Sequence, residues 1–458
     1  MDPGLGSTSF EMSAEAQLEA LLEIINSSAR QAIVEYKKEG NDVPTINSAE
    51  FHPLDTSAHH VALRKAIRLL EGACQQLCAS LAPPQRTVLN LVRRYDWVCV
   101  DIAHRKGIAD ILDEHPEGLH VNELSQIIGI EKTKLARILR LLTTRGLFKE
   151  VNRDVFANNR LSLVIKSTCN AGHVARTVEG PGYPASNAFF DALDDPEYGA
   201  SHDSGKTALH YAMRQKGLSA SSDAFGILEM DDEKCNNFYK AMVGAGEVFG
   251  ALSVLDQYPW NEVSTVCDVG ASFGTFSIPL AKSHPHLKIV NQDLERVIPQ
   301  AKKEWERKAP GALQEQRIDF VSLNFFEEAP VAGQDVYYLR LIIHDWPDAE
   351  ALTILRNVRK AMSPHSRLLI QEFIVGIPDR SSDPAAKNIG FDIAPEPMLP
   401  GFGAGNMLMY QQDMLMLMAF NGKERLLDEW IALATAVGLR LEKAYDLGDT
   451  SVLDFRVA

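Results

Sequence analysis

Apolar residues recur at three- and four-residue steps through Leu18, Leu21, Leu22 and Ile25, which lines them along one face and predicts a helix over 13–38. The ten residues that open the chain carry no such pattern and read as unstructured. The polar run from Lys37 to Ser57 reads as a connector. Helical spacing resumes from about His60 to Leu81, stops at Pro83-Pro84, and runs again to about Ile108. Between 118 and 160 the pattern shortens. One helix ends at Gly129, a second is closed by Gly146, and a small hairpin follows, the outline of a winged helix-turn-helix. From about 170 to 258 helical stretches alternate with glycine-rich interruptions and lead to a boundary near Trp260.

Beyond Val263 the period changes. Short apolar, β-branched or aromatic runs at 264–270, 287–294, 316–325, 335–344 and 366–375 alternate with helical stretches, the signature of a parallel sheet with crossover helices. The expected fold class is α/β, a Rossmann-like domain preceded by an all-α/winged-helix domain. The divisions fall at 1–55 (N-terminal helix and connector), 56–165 (winged helix), 166–260 (helical linker lining a substrate) and 261–458 (Rossmann-like domain).

A net charge of −15, from 61 acidic against 46 basic side chains, disfavours phosphate backbones and anionic membranes. That bears on the winged helix, a fold that usually suggests DNA. Its second helix carries Lys132, Lys134, Arg137, Arg140 and Arg145, but Leu135, Ile138, Leu139, Leu141 and Leu142 interleave with them and narrow the basic face. A dimerisation role fits better, with no nucleic-acid partner expected. Six scattered cysteines form no C-x-x-C pair. Cys74 and Cys78, four apart, have no matching second cluster, so core packing is expected and no metal. No basic residue precedes Arg30 and no uncharged apolar run is long enough to span a bilayer. The expectation is a cytoplasmic protein without a leader and without a membrane partner.

Gly270 and Gly274 bracket a tight turn after the first strand-like run, where glycine lets the backbone approach a ligand and a helix start presents its N–H groups. Asp293 stands at the tip of the second run, where a Rossmann-type site holds ribose hydroxyls. Together they point to an adenosine-containing ligand, an ordinary surface aspartate being the plain alternative. Ser272 occupies the place of the central glycine in a pyrophosphate-binding G-x-G-x-x-G turn. S-adenosylmethionine has no pyrophosphate, so the turn suits a methyl donor better than a dinucleotide.

The segments DVGASFG (268–274), QDL (292–294), LRLIIHDWPD (339–348), LLIQEFIV (368–375) and NGKER (421–425) resemble class I O-methyltransferases of the plant caffeate and flavonoid type and their fungal relatives. The resemblance covers nearly the whole chain. It implies a class I methyltransferase domain, His344 as general base beside Asp345, and Glu372 and Glu424 as the glutamates that flank the histidine. It also implies that S-adenosylmethionine is held by Asp268, Gly270, Ala271, Ser272, Gly274, Asp293, Leu294, Asn324, Phe325 and Arg340, and that the protein is a homodimer with interlocked N-terminal helices. Arg340 replaces a lysine frequent in the plant members, and Ala271 a second glycine. Asn324 stands where many members have an aspartate that accepts from the adenine amino group. An amide oxygen can accept there without the charge, so binding is expected to survive, with its strength left open.

Methyl transfer from a sulfonium asks the protein to align two reactants and to deprotonate the acceptor. A phenol has a pKa of about 10 and a histidine about 6.5, so complete proton transfer before attack would cost about 5 kcal/mol. Transfer concerted with attack, with carboxylates stabilising the imidazolium, avoids much of this. An aliphatic alcohol would be harder still, and a carboxylic acid needs no base. The acceptor expected is therefore the phenolic or enolic hydroxyl of a small phenolic or polyketide-like secondary metabolite. For His344 alone, a packed histidine after a strand is the plain alternative. Met407, Met409, Met414, Met416 and Met418 flank Tyr410 and, by resemblance, border the acceptor pocket, although such a stripe is equally at home in a core. Gly401, Gly403 and Gly405 lie after the fifth strand and read as a mobile connection. Two other functions stay open. One is a pericyclase or dehydratase on the same fold, and the other, more remote, is a winged-helix DNA-binding protein.

Overall fold

The computed structural model describes residues 12–38, 42–56, 60–93, 95–218, 224–229, 232–376 and 389–458. The opening ten residues, expected to be unstructured, lie outside these. The first helix, Ala14–Lys38, packs along Val61–Leu81 through Leu21, Ile24 and Ile25 against Leu69, Ala73 and Leu77. Helices Pro84–Val92, Asp96–Arg105 and Ile108–Asp113 follow, with Pro84 at the first turn, where its missing N–H costs nothing.

Helix Val121–Ile128 ends at Gly129 and helix Lys132–Thr144 runs to a turn at Gly146, both glycines having positive φ. Strands β1 (Leu119–His120), β2 (Lys149–Asn152) and β3 (Val155–Ala157) close beside them in a sheet of order β1-β3-β2. Arg140 is held by Glu150 and Asp154, and Arg145 by Asp96, so two of the five basic residues on the second helix are already paired with carboxylates.

Among the described residues the main sheet has seven strands. Strands β4 (Thr265–Val269), β5 (Lys288–Asp293), β6 (Ile318–Ser322), β7 (Val336–Arg340) and β8 (Arg367–Glu372) fall inside the five runs expected and pair in parallel. A short β9 (Ile374–Val375) pairs with β10 (Arg425–Leu426). Two further strands, β11 (Leu439–Asp446) and β12 (Ser451–Val457), were not among those runs. β12 adds antiparallel to β8, giving the order β11-β12-β8-β7-β4-β5-β6. β11 is an edge strand with exposed Arg440, Glu442 and Lys443 and a register shift at Leu441/Lys443, which breaks the alternation that marks a strand in sequence.

Neighbouring residues on the central strands face opposite layers, as expected of a sheet covered on both sides. Cys267, Tyr337, Leu368 and Ile370 pack with Ile354, Val358, Trp430 and Leu433. Val266, Tyr338 and Leu369 pack with Trp260, Phe276, Leu280 and Trp305. Among the described residues no single helix is long and apolar enough to cross a membrane.

Helix Val61–Leu81 is fastened to the sheet domain by two arginines. Arg64 donates to the carbonyls of Glu247 and Val248, at 2.8 Å each, and to Asp449. Arg68 donates to the Gly448 carbonyl at 2.9 Å and to Asp446 at 3.0 Å, and its guanidinium lies 4.1 Å from the Phe402 ring centroid. The segment 400–406, expected as a mobile connection, is instead docked on this helix. A Cβ at Gly72 would collide with the Phe402 carbonyl, and one at Gly405 with the Arg68 carbonyl. The correction has a physical reason: glycine here permits close helix-to-loop packing, which sequence cannot distinguish from flexibility. The expected outcome for Gly72→Ala is a loss of about 1–3 kcal/mol through overpacking. Urea titration would show this as a lower midpoint at unchanged slope, and a wild-type midpoint would contradict the docking.

Candidate active site

The carboxyl ends of β4, β5, β7 and β8 meet at one edge of the sheet. After β4 the chain turns through Gly270 (φ 74°), Ser272 (φ 49°) and Gly274 (φ 86°). A Cβ at Gly270 would stand 2.6 Å from Ile342 Cδ1, and one at Gly274 2.5 Å from Trp305 Nε1, so both positions exclude a side chain on space as well as on conformation. The Gly270 and Ala271 N–H groups donate to the Gln292 carbonyl. Asp293, at the end of β5, accepts from the N–H of Ser272 and of Leu294, both at 2.7 Å. The aspartate expected at a ribose thus also fixes the turn, and a carboxylate retains further acceptor positions. The Phe273 ring lies 4.0 Å, centroid to centroid, from Tyr239 on helix Asp232–Val248.

Asp268 and Arg340 flank this turn. Asp268 is buried and its Oδ2 lacks a hydrogen-bond partner among the described residues. Burial raises its pKa to about 7, and Arg340 opposes the rise. Arg340 Nη2 donates to Thr275 Oγ1 at 2.5 Å, while its buried Nη1 has no partner among the described residues. Asn324 Oδ1 accepts from the Phe326 N–H at 3.2 Å, so one of its two lone pairs is already engaged. Phe325 packs edge-on to Phe326 and Trp346.

Beyond β7 the backbone enters the left-handed region at Leu341 (φ 53°), uncommon for a leucine. Glu372, at the end of β8, holds this bend: its Oε1 accepts from the N–H of Ile342 (3.0 Å) and Ile343 (2.9 Å). The next residue is His344, whose Nδ1 lies 2.6 Å from Glu424 Oε1 and 3.5 Å from Glu372 Oε2. Its Nε2 is 3.6 Å from Asp345 Oδ1, beyond hydrogen-bonding range. A carboxylate acceptor fixes the proton on Nδ1 and leaves the Nε2 lone pair available in the neutral ring. His344, Glu372 and Glu424 are all buried, and Oε2 of each glutamate lacks a hydrogen-bond partner among the described residues. Their ligand-capable atoms lie within 4.8 Å of one another, so the set could also hold a divalent cation.

Burial by itself would depress the His344 pKa. The charges of Glu424, Glu372 and Asp345 together outweigh it and hold the pKa well above the ordinary histidine value. Burial raises Glu372 and Asp345 to about 7 each, against the opposing pull of His344.

Residues 421–425 are clamped against this bend. Asn421 adopts positive φ and donates to the carbonyls of Ser201, Asp203 and Lys206. Lys423 N–H donates to the His344 carbonyl at 3.0 Å, and Glu424 N–H to Asp413 Oδ1 at 2.8 Å. Fully buried Arg425 donates to the carbonyls of Ile343 (3.0 Å) and Trp346 (2.7 Å) and to Asp348 Oδ1 (2.8 Å). Sequence reasoning missed the parts played by Asn421, Asp413 and Arg425. One signal was present: Asp413 is the only charged residue in the run Met407–Phe420.

The methionine run does not act as one stripe. Met409 and Met416 are buried, Met407 and Met414 are exposed, and Met418 packs partly buried beside Leu209 and Phe420. Met409 joins Phe249 and Phe373, with Tyr410 packed alongside. Trp346, two residues along the chain from His344, belongs to an aromatic group: Phe225 lies 5.9 Å from Trp346 and 5.4 Å from Phe420, and Phe326 is 4.7 Å from Trp346.

Arg425→Met is expected to cost roughly 2–5 kcal/mol, because the carbonyls of Ile343 and Trp346 each lose a donor and Asp348 loses its guanidinium partner. Arg425→Lys is expected to recover little of this, because an ammonium lacks the planar fork. Urea unfolding checks both, and a change below about 0.5 kcal/mol would contradict the clamp.

Residues 206–440 match the O-methyltransferase domain family. The 3-O-methyltransferase 2 of Phanerochaete chrysosporium is 37% identical over 451 residues, covering 96% of this chain and 97% of that protein. Two solved structures share the fold. A structure described as a pericyclic reaction enzyme has a TM-score of 0.67 at 20% identity, covering 96% of this chain and all (100%) of its own. An O-methyltransferase from neocarzinostatin biosynthesis, in complex with S-adenosylmethionine and 2-hydroxy-5-methyl naphthoic acid, has a TM-score of 0.59 at 20% identity, covering 81% of this chain and 98% of its own. With the family match spanning residues 206–440 and a full-length O-methyltransferase relative at 37% identity, the chain belongs to the O-methyltransferase family.

Proposed function

We propose that the protein uses S-adenosylmethionine to methylate a phenolic or enolic hydroxyl of a small aromatic secondary metabolite, with His344 as general base. The observation that carries this reading is the 2.6 Å contact from His344 Nδ1 to Glu424 Oε1, which orients the ring with Nε2 as its proton acceptor. Bound S-adenosylmethionine supplies an electrophilic methyl group. The residues fit it: an Asp268 carboxylate oxygen and an Arg340 N–H, both without a hydrogen-bond partner among the described residues, flank the turn, one suited to an ammonium and the other to a carboxylate. Gly270, Ala271, Ser272 and Gly274 form a turn whose shape is set by hydrogen bonds to Gln292 and Asp293, and Leu294, Asn324 and Phe325 complete the set assigned to the cofactor in this reading.

His344 receives the hydroxyl proton at Nε2 while Glu424 and Glu372 stabilise the resulting imidazolium. The raised imidazolium pKa brings the base closer to a phenol, and each unit removes about 1.4 kcal/mol from the transfer. The cost is a smaller neutral fraction at neutral pH. Activity therefore rises with pH as the imidazolium loses its proton.

A homodimer is part of this reading. Helix Pro84–Val92 has no buried residue, and Val88, Leu89, Leu91 and Val92 are exposed, Val92 by 73%. Such a face suits a second copy. Residues 56–165 then serve dimerisation, 166–260 line the acceptor and 261–458 carry the chemistry. A pericyclase on this fold is the second reading, motivated by the structural likeness to a pericyclic reaction enzyme, and the retained His–Glu–Glu set weighs against it.

Mass spectrometry of reactions with S-adenosylmethionine and a panel of phenols, enols and carboxylic acids tests the function. One added methyl on a phenol or enol is expected, and His344→Ala lowers kcat by about 10²–10⁴. Cofactor binding without methylation of any acceptor favours the pericyclase, and absence of cofactor binding removes the proposal. The acid limb of kcat/KM is expected above the ordinary histidine pKa of about 6.5, and a limb at or below that value contradicts the carboxylate cage. Val92→Asp is expected to yield monomer in light scattering, and an unaltered dimer would place the interface elsewhere.

A further inference from the structure

We propose that Asp413 positions Glu424 for its contact with His344, so that a carboxylate outside the histidine's own set governs the proton-accepting step. The proposal rests on the reading of His344 as the base. Helix Met407–Phe420 is otherwise uncharged, and Asp413 is half-buried in it, a costly place for a carboxylate. Burial raises its pKa, against the hydrogen bond from Glu424 N–H and the charge of Lys423. That hydrogen bond, 2.8 Å from the Glu424 N–H to Asp413 Oδ1, gives the buried charge its partner.

From the opposite side the same stretch meets His344 itself. Lys423 N–H donates to the His344 carbonyl, and a Cβ at Gly422 would collide with that carbonyl. The peptide 422–424 is therefore gripped between the residue that Glu424 must reach and Asp413. With its backbone so fixed, Glu424 extends Oε1 to 2.6 Å from Nδ1. Without Asp413, the Glu424 N–H becomes an enclosed donor lacking an acceptor, and the loop gains by moving toward water. The charged and titratable groups around the pair are few. His344 faces Glu424, Glu372 and Asp345. Asp413 faces Lys423, Glu429 and, on its own helix, Tyr410. Lys423 is engaged by Glu429 at 2.6 Å and Asp348 at 3.7 Å, so its charge is shared outward.

The test compares kcat and pH–rate profiles of Asp413→Leu and Asp413→Asn with wild type and His344→Ala. Leucine suits the apolar helix and removes the acceptor, and asparagine keeps an acceptor oxygen. Asp413→Leu is expected to lower kcat about tenfold to a hundredfold and to leave KM for S-adenosylmethionine within about twofold of wild type. Its acid limb moves to lower pH, because an imidazolium less firmly held by Glu424 releases its proton sooner. Asp413→Asn rescues most of the loss. Wild-type kcat with an unmoved acid limb in Asp413→Leu overturns the proposal, as does an Asp413→Asn variant as impaired as Asp413→Leu. If Asp413→Leu does not fold, hydrogen exchange at the Glu424 amide in Asp413→Asn decides. Retained protection supports the positioning role, and exchange at the rate of an exposed loop overturns it. A fully active His344→Ala removes the underlying reading of the base, whatever the Asp413 variants do.

Discussion

A buried imidazole 2.6 Å from one glutamate and 3.5 Å from another sets terms that the surrounding structure must meet. Carboxylates withdrawn from water are tolerated only beside a cation, a proton or backbone donors. Glu372 meets this by accepting two backbone N–H groups, and Glu424 by facing Nδ1. The three residues come from distant parts of the chain, so their meeting depends on the sheet order that sets β8 beside β7 and on the 421–425 segment returning to the same edge. The left-handed Leu341, the left-handed Asn421 and the buried Arg425 are the local cost of that return.

The turn after β4, proposed to hold the cofactor, depends on the same edge. Gly270 abuts Ile342, one of the residues whose N–H is held by Glu372, so the backbone that orients His344 also packs against the turn. Helix Asp232–Val248 bears on the turn through Tyr239 and Phe273, and its final carbonyls are capped by Arg64 of the N-terminal helical region. The helical region is thereby tied to the candidate site by specific contacts, and a disturbance at Arg64 has a short route to it.

Much of this was legible in sequence, for physical reasons. Parallel strands covered on both faces are continuous apolar runs, so β4, β5, β7 and β8 stood out, whereas β11, a charged and bulged edge strand, did not. Gly270 and Gly274 were legible because the positions exclude a Cβ, a constraint that residue type records directly. His344, Glu372 and Glu424 came from the family resemblance, and the structure brings them together. The second task of Asp293 and the docking of 400–406 were not legible, because backbone partners and close approaches leave no residue-type signature. Arg425 stood inside a quoted motif, yet its contacts with Ile343 and Trp346 are long-range and pass through main-chain carbonyls. Asp413 was the intermediate case, a lone charge in an apolar run that marked itself without naming its partner.

The most direct test of the central claim, that carboxylates hold His344 as an Nδ1-protonated ring with Nε2 as its acceptor, is an imidazole ¹⁵N NMR titration of the protein, with the His344 signal assigned by its absence in His344→Gln. Nδ1 is expected to keep its proton throughout, and Nε2 to lose its own only above the ordinary histidine pKa of about 6.5. A ring that turns neutral at or below that value, or a neutral ring carrying its proton on Nε2, would contradict the claim.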